Sequence, residues 1–527
     1  MRRFGIFLIL VFMLASCGSR AASPTPAATA IPKPRPTPTP LRQPTEATAD
    51  CPLTSPPASP VHNLQDLLPD CNYAAWFETN TGYEPDDGYF AGYAFLPWNG
   101  DLYLGFGKAR PAEANGSLFA RFRNRSLSAI YQPSEQGFID MTPDWSQPLI
   151  HIPGPDPTDP AEPGGSQWDW GNTYVFDPAT DAMTKHRNLP NVIHTWGLES
   201  IPAGLYAAVS SHMGDYETWT GEVFRSQDEG ESWERMANKD AGVGDYRTYD
   251  IISFRDNLYV IWNDSLNEPC GLAKSKDGGI TWTRLPEFSG YVNCRSRLTI
   301  YKNQLIVLAS ARDGILALQP GGRVTTHIFP DFHAQDWVYN PFAIDVQNRL
   351  YLVTEDNRIL RTNDLSTGEW ETMAASDRDF ITLAYWPDRD RIVAGDRGVM
   401  GRLWLLDPKA APVTPPPSPE PAITLEGDDA VIIWSAAPGL SYRIYRGDQP
   451  DFTPPIQYLY DTAESPWRDA GTASGPGAFF YEVRSQNAAG DISAPSPTLG
   501  LFTYALEPAP APASSAFLPM LEIGKGK

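Results

Sequence analysis

The chain has 527 residues, 42% of them hydrophobic and 12% aromatic, which is ample for a large core and unlike a disordered composition. Its 41 Lys and Arg against 63 Asp and Glu leave a net charge of −22, so its surface repels nucleic acid and anionic membrane faces. The length allows roughly two to four domains.

The chain opens on an export signal. Arg2 and Arg3 form a basic n-region, and Phe4 to Ala15 is an apolar run too short to span a bilayer. It ends in Leu14-Ala15-Ser16-Cys17, which resembles the lipobox of bacterial lipoproteins. The resemblance implies that residues 1–16 are a removed signal peptide and that Cys17 is acylated. The protein is then lipid-anchored on the bacterial cell surface. Gly18 follows, where an Asp would retain a Gram-negative lipoprotein at the inner membrane. Four other cysteines remain, an even number that suits an oxidising compartment. Nearest-neighbour pairing, Cys51 with Cys71 and Cys270 with Cys294, is the simplest of the three connectivities. No CxxC or His-x-x-His spacing suggests a metal, and no cofactor is implied.

Residues 17–71 are dominated by Pro, Thr, Ala and Ser, with Thr37-Pro38-Thr39-Pro40 typical. Such a segment favours extended polyproline II and predicts a disordered stalk. From 72 to 408 the chain changes to short β runs and turns. A turn residue followed by an apolar Leu-Tyr-Val-like run recurs there, led by residues 102, 149, 205, 258, 305, 350 and 392. The steps of 42 to 56 residues suit four short strands each. Seven copies predict an all-β, seven-bladed β-propeller. The irregular, Pro- and Gly-rich region 108–190 leaves six or eight blades open.

A second repeat overlies the first. Ser226-Gln227-Asp228-Glu229-Gly230-Glu231-Ser232-Trp233 returns as Ser275-Lys276-Asp277-Gly278-Gly279-Ile280-Thr281-Trp282, and a worn copy spans Thr362 to Trp370. Ser-x-Asp-x-Gly-x-x-Trp resembles the Asp-box, or bacterial-neuraminidase repeat, which implies a hairpin between outer strands of a propeller blade. Ser226, Asp228, Gly230 and Trp233, like Ser275, Asp277, Gly279 and Trp282, are then structural. The Asp accepts from the turn's own N–H groups, the Gly takes φ > 0, and the Trp folds back over the hairpin.

Residues 409–420 form a Pro-rich linker. Segment 421–503 carries Val431-Ile432-Ile433-Trp434, Tyr442-Arg443-Ile444-Tyr445 and Phe480-Tyr481-Glu482-Val483. It resembles a fibronectin type III domain, with Tyr481 as the tyrosine-corner candidate. Residues 504–527 are a Pro/Ala-rich tail.

Propellers bind ligands where the innermost strands begin. Residues about eight to eleven before each marker should line that mouth: His194, Trp196, Arg247, Tyr249, Arg295, Arg297 and Asn340, with Phe138, Asp140 and Phe342. Asp379 and Phe380 fall slightly earlier in the last blade. Three Arg among aromatics suit a sugar or an acid; each Arg can equally be taken up by a neighbouring Asp. The Asp-boxes resemble those of sialidases, but no Arg-Ile-Pro motif occurs and no Tyr/Glu nucleophile pair is assignable. Gly-x-Ser-x-Gly, His-Glu-x-x-His and phosphate-loop motifs are missing as well. The expectation is a non-catalytic surface lipoprotein binding an extracellular glycan or protein, and no nucleic acid. The alternatives are a glycoside hydrolase or lyase with a propeller catalytic domain, and a membrane-complex assembly scaffold.

Overall fold

The computed structural model describes residues 51, 61–82, 89–108, 117–133, 135–157, 168–212, 219–266, 268–329, 332–335, 340–397, 401–447, 457–472, 474 and 477–503. The expected signal peptide 1–16, Cys17, most of the expected stalk and the tail 504–527 lie outside the described residues.

Between residues 61 and 408 the described chain forms seven four-stranded antiparallel sheets in succession. The third is typical, with strands Val192–Ile201, Gly204–His212, Trp219–Ser226 and Glu234–Ala237 paired in chain order. Each expected marker residue falls at the first-to-second strand hairpin. Several of these turns carry φ > 0 at both central positions, as in Asn99-Gly100, Arg255-Asp256 and Lys302-Asn303. That conformation matches the twist of the flanking strands.

Adjacent sheets pack face to face. Tyr103 and Phe119 meet Ile152 and Phe176, and Tyr206 and Val223 meet Val260 and Trp262. Ile261 and Leu272 meet Leu305 and Val307, and Ile306 and Leu308 meet Leu350 and Leu352. Tyr351 and Ile359 meet Ile392 and Trp404. The decisive pair is the last, because Trp386 and Leu403 of the seventh sheet share a core with Leu102 and Leu118 of the first. The sheets therefore close into a β-propeller. Closure explains the sequence pattern: Gly314–Leu318 is buried on both faces, whereas no residue of the outer strand Val324–Ile328 is fully buried.

The seventh sheet takes its outer strand from the other end of the chain. Leu64–Asp66 pairs with Leu403–Leu406, so the globular fold begins before residue 72, where the sequence placed its start. The missed signal is short: Leu64-Gln65-Asp66 follows a Pro-rich run and has no alternation to reveal it. Buried Asp66 accepts from Arg402 Nη1 at 2.6 Å and from the Leu68 amide at 3.0 Å. A disulfide joins Cys51 to Cys71 beside this strand, and another joins Cys270 to Cys294. The bridges mark an extracytoplasmic protein. No helix among the described residues is long and apolar enough to cross a membrane. The helix Tyr73–Thr81, capped by Asn72 and by Gly82 at φ 75°, buries Trp76 and Phe77 against the first sheet.

The two Ser-x-Asp hairpins share one bonding scheme. Ser226 Oγ donates to Asp228 at 2.8 Å and accepts from the Gly230 amide at 2.8 Å, while the Ser232 amide donates to Asp228 at 2.7 Å. Ser275, Asp277, Gly279 and Thr281 repeat it, and Trp282 Nε1 donates to the Gly279 carbonyl. Gly230 and Gly279 sit at φ 91° and 92°, a region a side chain resists.

Beyond residue 421, a three-stranded and a four-stranded sheet enclose Ile432, Trp434, Tyr442, Ile444, Tyr481 and Val483. The Tyr481 hydroxyl donates to the Asp469 carboxylate at 2.8 Å, a side-chain partner where a tyrosine corner uses backbone. This sandwich is docked on the propeller. Asp377 accepts from Tyr445 Oη at 2.9 Å and pairs with Arg443, and the Ile492 amide donates to the Ala375 carbonyl. The Pro-rich linker is bonded at both ends, the Val413 amide to the Thr372 carbonyl and Ser418 Oγ to the Pro495 carbonyl.

Candidate functional site

The innermost strands run side by side around the central channel, so the loops before them bring distant residues together. At the start of the third and fourth inner strands, His194 stacks on Trp196 with centroids 4.6 Å apart and planes 9° apart. Trp219, which opens the third strand of the same sheet, lies 5.8 Å from His194. The Arg247 guanidinium is set among rings, 4.7 Å from Tyr246, 5.0 Å from Trp219 and 5.4 Å from Trp196. Tyr249 packs on Trp196 at 5.4 Å. The Trp196 indole is fixed from behind by Ser210 Oγ at 2.7 Å.

The electrostatics of this box are one-sided. Burial, then the charge of Arg247, holds His194 well below the usual imidazole range, so it is neutral near pH 7. Its Nδ1 is buried without a hydrogen-bond partner, and so is Arg247 Nε. Burial raises Asp156, and the Trp168 indole and then the charge of Arg247 oppose that rise. No ion pair links Arg247 to any carboxylate among the described residues. Its faces are covered by rings, and its in-plane N–H donors are the part left to recognise an anion.

Arg297 has a different use. It reaches across the bore to Asp250 at 2.6 Å, Asp140 at 3.3 Å and the carbonyls of Ile139 and Trp196. It thereby ties the second, third, fourth and fifth sheets together. A Cβ at Gly197 would lie 2.9 Å from Asp250 and 3.0 Å from Arg297, so glycine there makes room for the pair. Tyr93, Ile139, Trp196 and Ile381 close the bore with an apolar plug.

Alongside Arg297 lies a cavity of about 500 Å³ to which all seven inner strands or the residues just before them contribute, among them Ala94, Thr142, Glu199, Ile252, Thr299, Ala343 and Tyr385. Burial pushes the Glu199 carboxyl up to about 7, opposed by the Ser253 amide that donates to it at 2.8 Å. Burial also raises Asp250, against the pull of Arg297.

The other expected mouth residues hold structure together. Asn340 Nδ2 donates to the Leu383 carbonyl, joining the sixth and seventh sheets. Asp379 accepts from Arg397 Nε at 2.6 Å and Gln335 Nε2 at 2.5 Å. Arg295 sits in the turn before the fifth inner strand, where its amide donates to Asn293 Oδ1 at 2.9 Å. Phe138, Phe342 and Phe380 are buried between sheets. The sequence missed Trp219 and Tyr246. Trp219 lies on a third strand, outside any count from the inner strand, and Tyr246 falls just before the counted positions. Among the described residues no group of three or more His, Cys, Asp and Glu is placed to hold a metal.

No family model and no curated protein matches the chain. Among solved structures, the extracellular domain of BT4673 from B. thetaiotaomicron is similar at 15% identity and TM-score 0.45, over 81% of this chain and 58% of that one. A catalytically inactive virginiamycin B lyase from Staphylococcus aureus is similar at 13% identity and TM-score 0.42, over 60% and 95%. The Hadza microbial sialidase Hz136 is similar at 10% identity and TM-score 0.38, over 62% and 66%. The chain thus spans under six-tenths of the first of these. At these values the likenesses assign no activity, and the fold stands on sheet order and ring closure.

Proposed function

We propose that this chain is a non-catalytic surface lipoprotein, anchored through acylated Cys17, whose seven-bladed Asp-box propeller binds an anionic extracellular glycan at the channel mouth. The fibronectin type III-like sandwich is a rigid accessory to that ring. The observation that carries the reading is the Arg247 box. A guanidinium held among Trp196, Trp219 and Tyr246, with no carboxylate partner among the described residues, supports a bidentate grip on a sugar carboxylate. Trp219 and Tyr246, half-buried beside it, are the rings that a pyranose can reach. A panel of uronic-acid and sialic-acid oligosaccharides tests this. Binding without turnover of the sugar, lost in Arg247→Ala, supports it; no binding to any member contradicts it.

One observation favours a second reading, a glycoside hydrolase acting from the channel cavity. Glu199, with a carboxyl raised to about 7, shares that cavity with Asp140 and Asp250. An acid with a raised pKa beside further carboxyl groups is what general acid–base cleavage of a glycosidic bond needs. Sugar hydrolysis abolished by Glu199→Gln would establish it in place of pure binding.

A further inference from the structure

The opposite end of the propeller carries a feature that the mouth does not explain. There, where first-to-second strand hairpins and Ser-x-Asp hairpins meet, Trp145 stands 55% exposed. Among the described residues its ring stacks on no other ring and its indole N–H has no partner. Yet the turn that presents it is fixed by an unusually complete polar network. Asp144 Oδ1 accepts from the Ser146 and Gln147 amides, each at 2.8 Å, and from Ser146 Oγ at 3.0 Å. Asp144 Oδ2 accepts from His151 Nε2 at 2.9 Å and from Ser200 Oγ at 3.0 Å. The Trp145 amide itself donates to Ser200 Oγ at 3.2 Å. His151 is wholly buried, and its burial keeps it below its ordinary pKa, so the network is a neutral imidazole on an ionised carboxylate.

Beside this turn lies a groove of about 370 Å³ between the second and third sheets. Its lining sets the polar Gln147, Gln227 and Glu229 beside the apolar Pro202, Ala203 and Leu205. Gln147 Nε2 already bonds the Glu229 carboxylate across it. The volume is that of a small-ligand cleft. None of the other large exposed hydrophobics lines it, so it lacks the apolar area of a protein-docking patch. A bare indole on a fixed turn, next to side-chain amides and a carboxylate, is an arrangement that stacks on the C–H face of a pyranose and bonds its hydroxyls. The Glu229 carboxylate makes an anionic sugar unfavourable here.

We propose that the groove beside Trp145 is a second carbohydrate site, independent of the channel mouth, that takes a neutral pyranose oligosaccharide. The test is affinity electrophoresis and calorimetry of the full chain with cellohexaose, xylohexaose, mannohexaose and chitohexaose. At least one should bind, and Trp145→Ala should weaken it about tenfold. Trp145→Phe should stay within roughly threefold, since a ring face remains. Arg247→Ala should leave this binding unchanged, which separates failure of this site from failure of the mouth. Because Trp145 is on the surface, its variants should keep the wild-type melting temperature. No binding to any of the four sugars, or binding that survives Trp145→Ala, overturns the proposal.

Discussion

Removing the carboxylate of Asp66 tests how the ring is closed. The Asp66 side chain is 7% exposed and that of Arg402 is 4% exposed, at 2.6 Å. Asp66→Ala removes a carboxylate partner of the buried Arg402 guanidinium, and truncating one partner of such a pair costs about 3–5 kcal/mol. Loss of the bond from the Leu68 amide adds about 1 kcal/mol. The assay is urea denaturation followed by Trp fluorescence. The double variant Asp66→Ala, Arg402→Met should recover to within about 2 kcal/mol of wild type, because the buried charge has gone together with its counter-charge. A single-variant cost below about 1 kcal/mol would mean that Leu64–Asp66 does not clasp the seventh sheet in solution. A double variant as unstable as the sum of the singles would refute the argument from buried charge.

Glu199→Gln should change the pH dependence of stability. The unfolded carboxyl ionises near 4.5 and the folded one at about 7, so the folded state binds the proton more tightly. The stability this confers is complete below pH 4.5 and is lost as pH rises through 7, by at most about 3 kcal/mol. Glu199→Gln should therefore raise the melting temperature at about pH 8 relative to wild type and leave it unchanged at about pH 4, with the Ser253 amide still accepted by the Gln carbonyl. Asp396, also pushed up to about 7 by burial, keeps part of the slope in the variant. Equal shifts at both pH values would contradict the assignment. Asp377→Ala removes a carboxylate that bonds both Arg443 and Tyr445. Limited proteolysis within 409–420 should then speed up while the propeller itself melts as before; an unchanged cleavage rate would mean that other contacts hold the sandwich.

Much of the architecture was legible because a propeller repeats. Hairpins such as Asn99-Gly100 and Arg255-Asp256 punctuate each sheet, and the markers from Leu102 to Ile392 all sit at that hairpin. The closing strand was hidden because its partner, Leu403–Leu406, lies at the far end of the ring-forming chain, and three residues carry no periodicity. The site was half legible. Counting back from the markers found His194, Trp196, Arg247 and Tyr249, because register puts the starts of adjacent inner strands together. The same count gave Arg297, but only coordinates show that Asp140 and Asp250 use up its charge. The docking of the sandwich through Asp377 was equally invisible, since a Pro-rich linker reads as a spacer until its hydrogen bonds are seen.

The most direct test of the account is calorimetric titration of the full chain with trigalacturonic acid and sialyllactose, wild type beside Arg247→Ala and Trp219→Ala. Wild type should bind at least one of them, with an affinity that falls as salt rises. Arg247→Ala should reduce binding at least about tenfold, and Trp219→Ala several-fold, with no sugar cleaved. Binding that is indifferent to Arg247, or absent for both sugars, would contradict it.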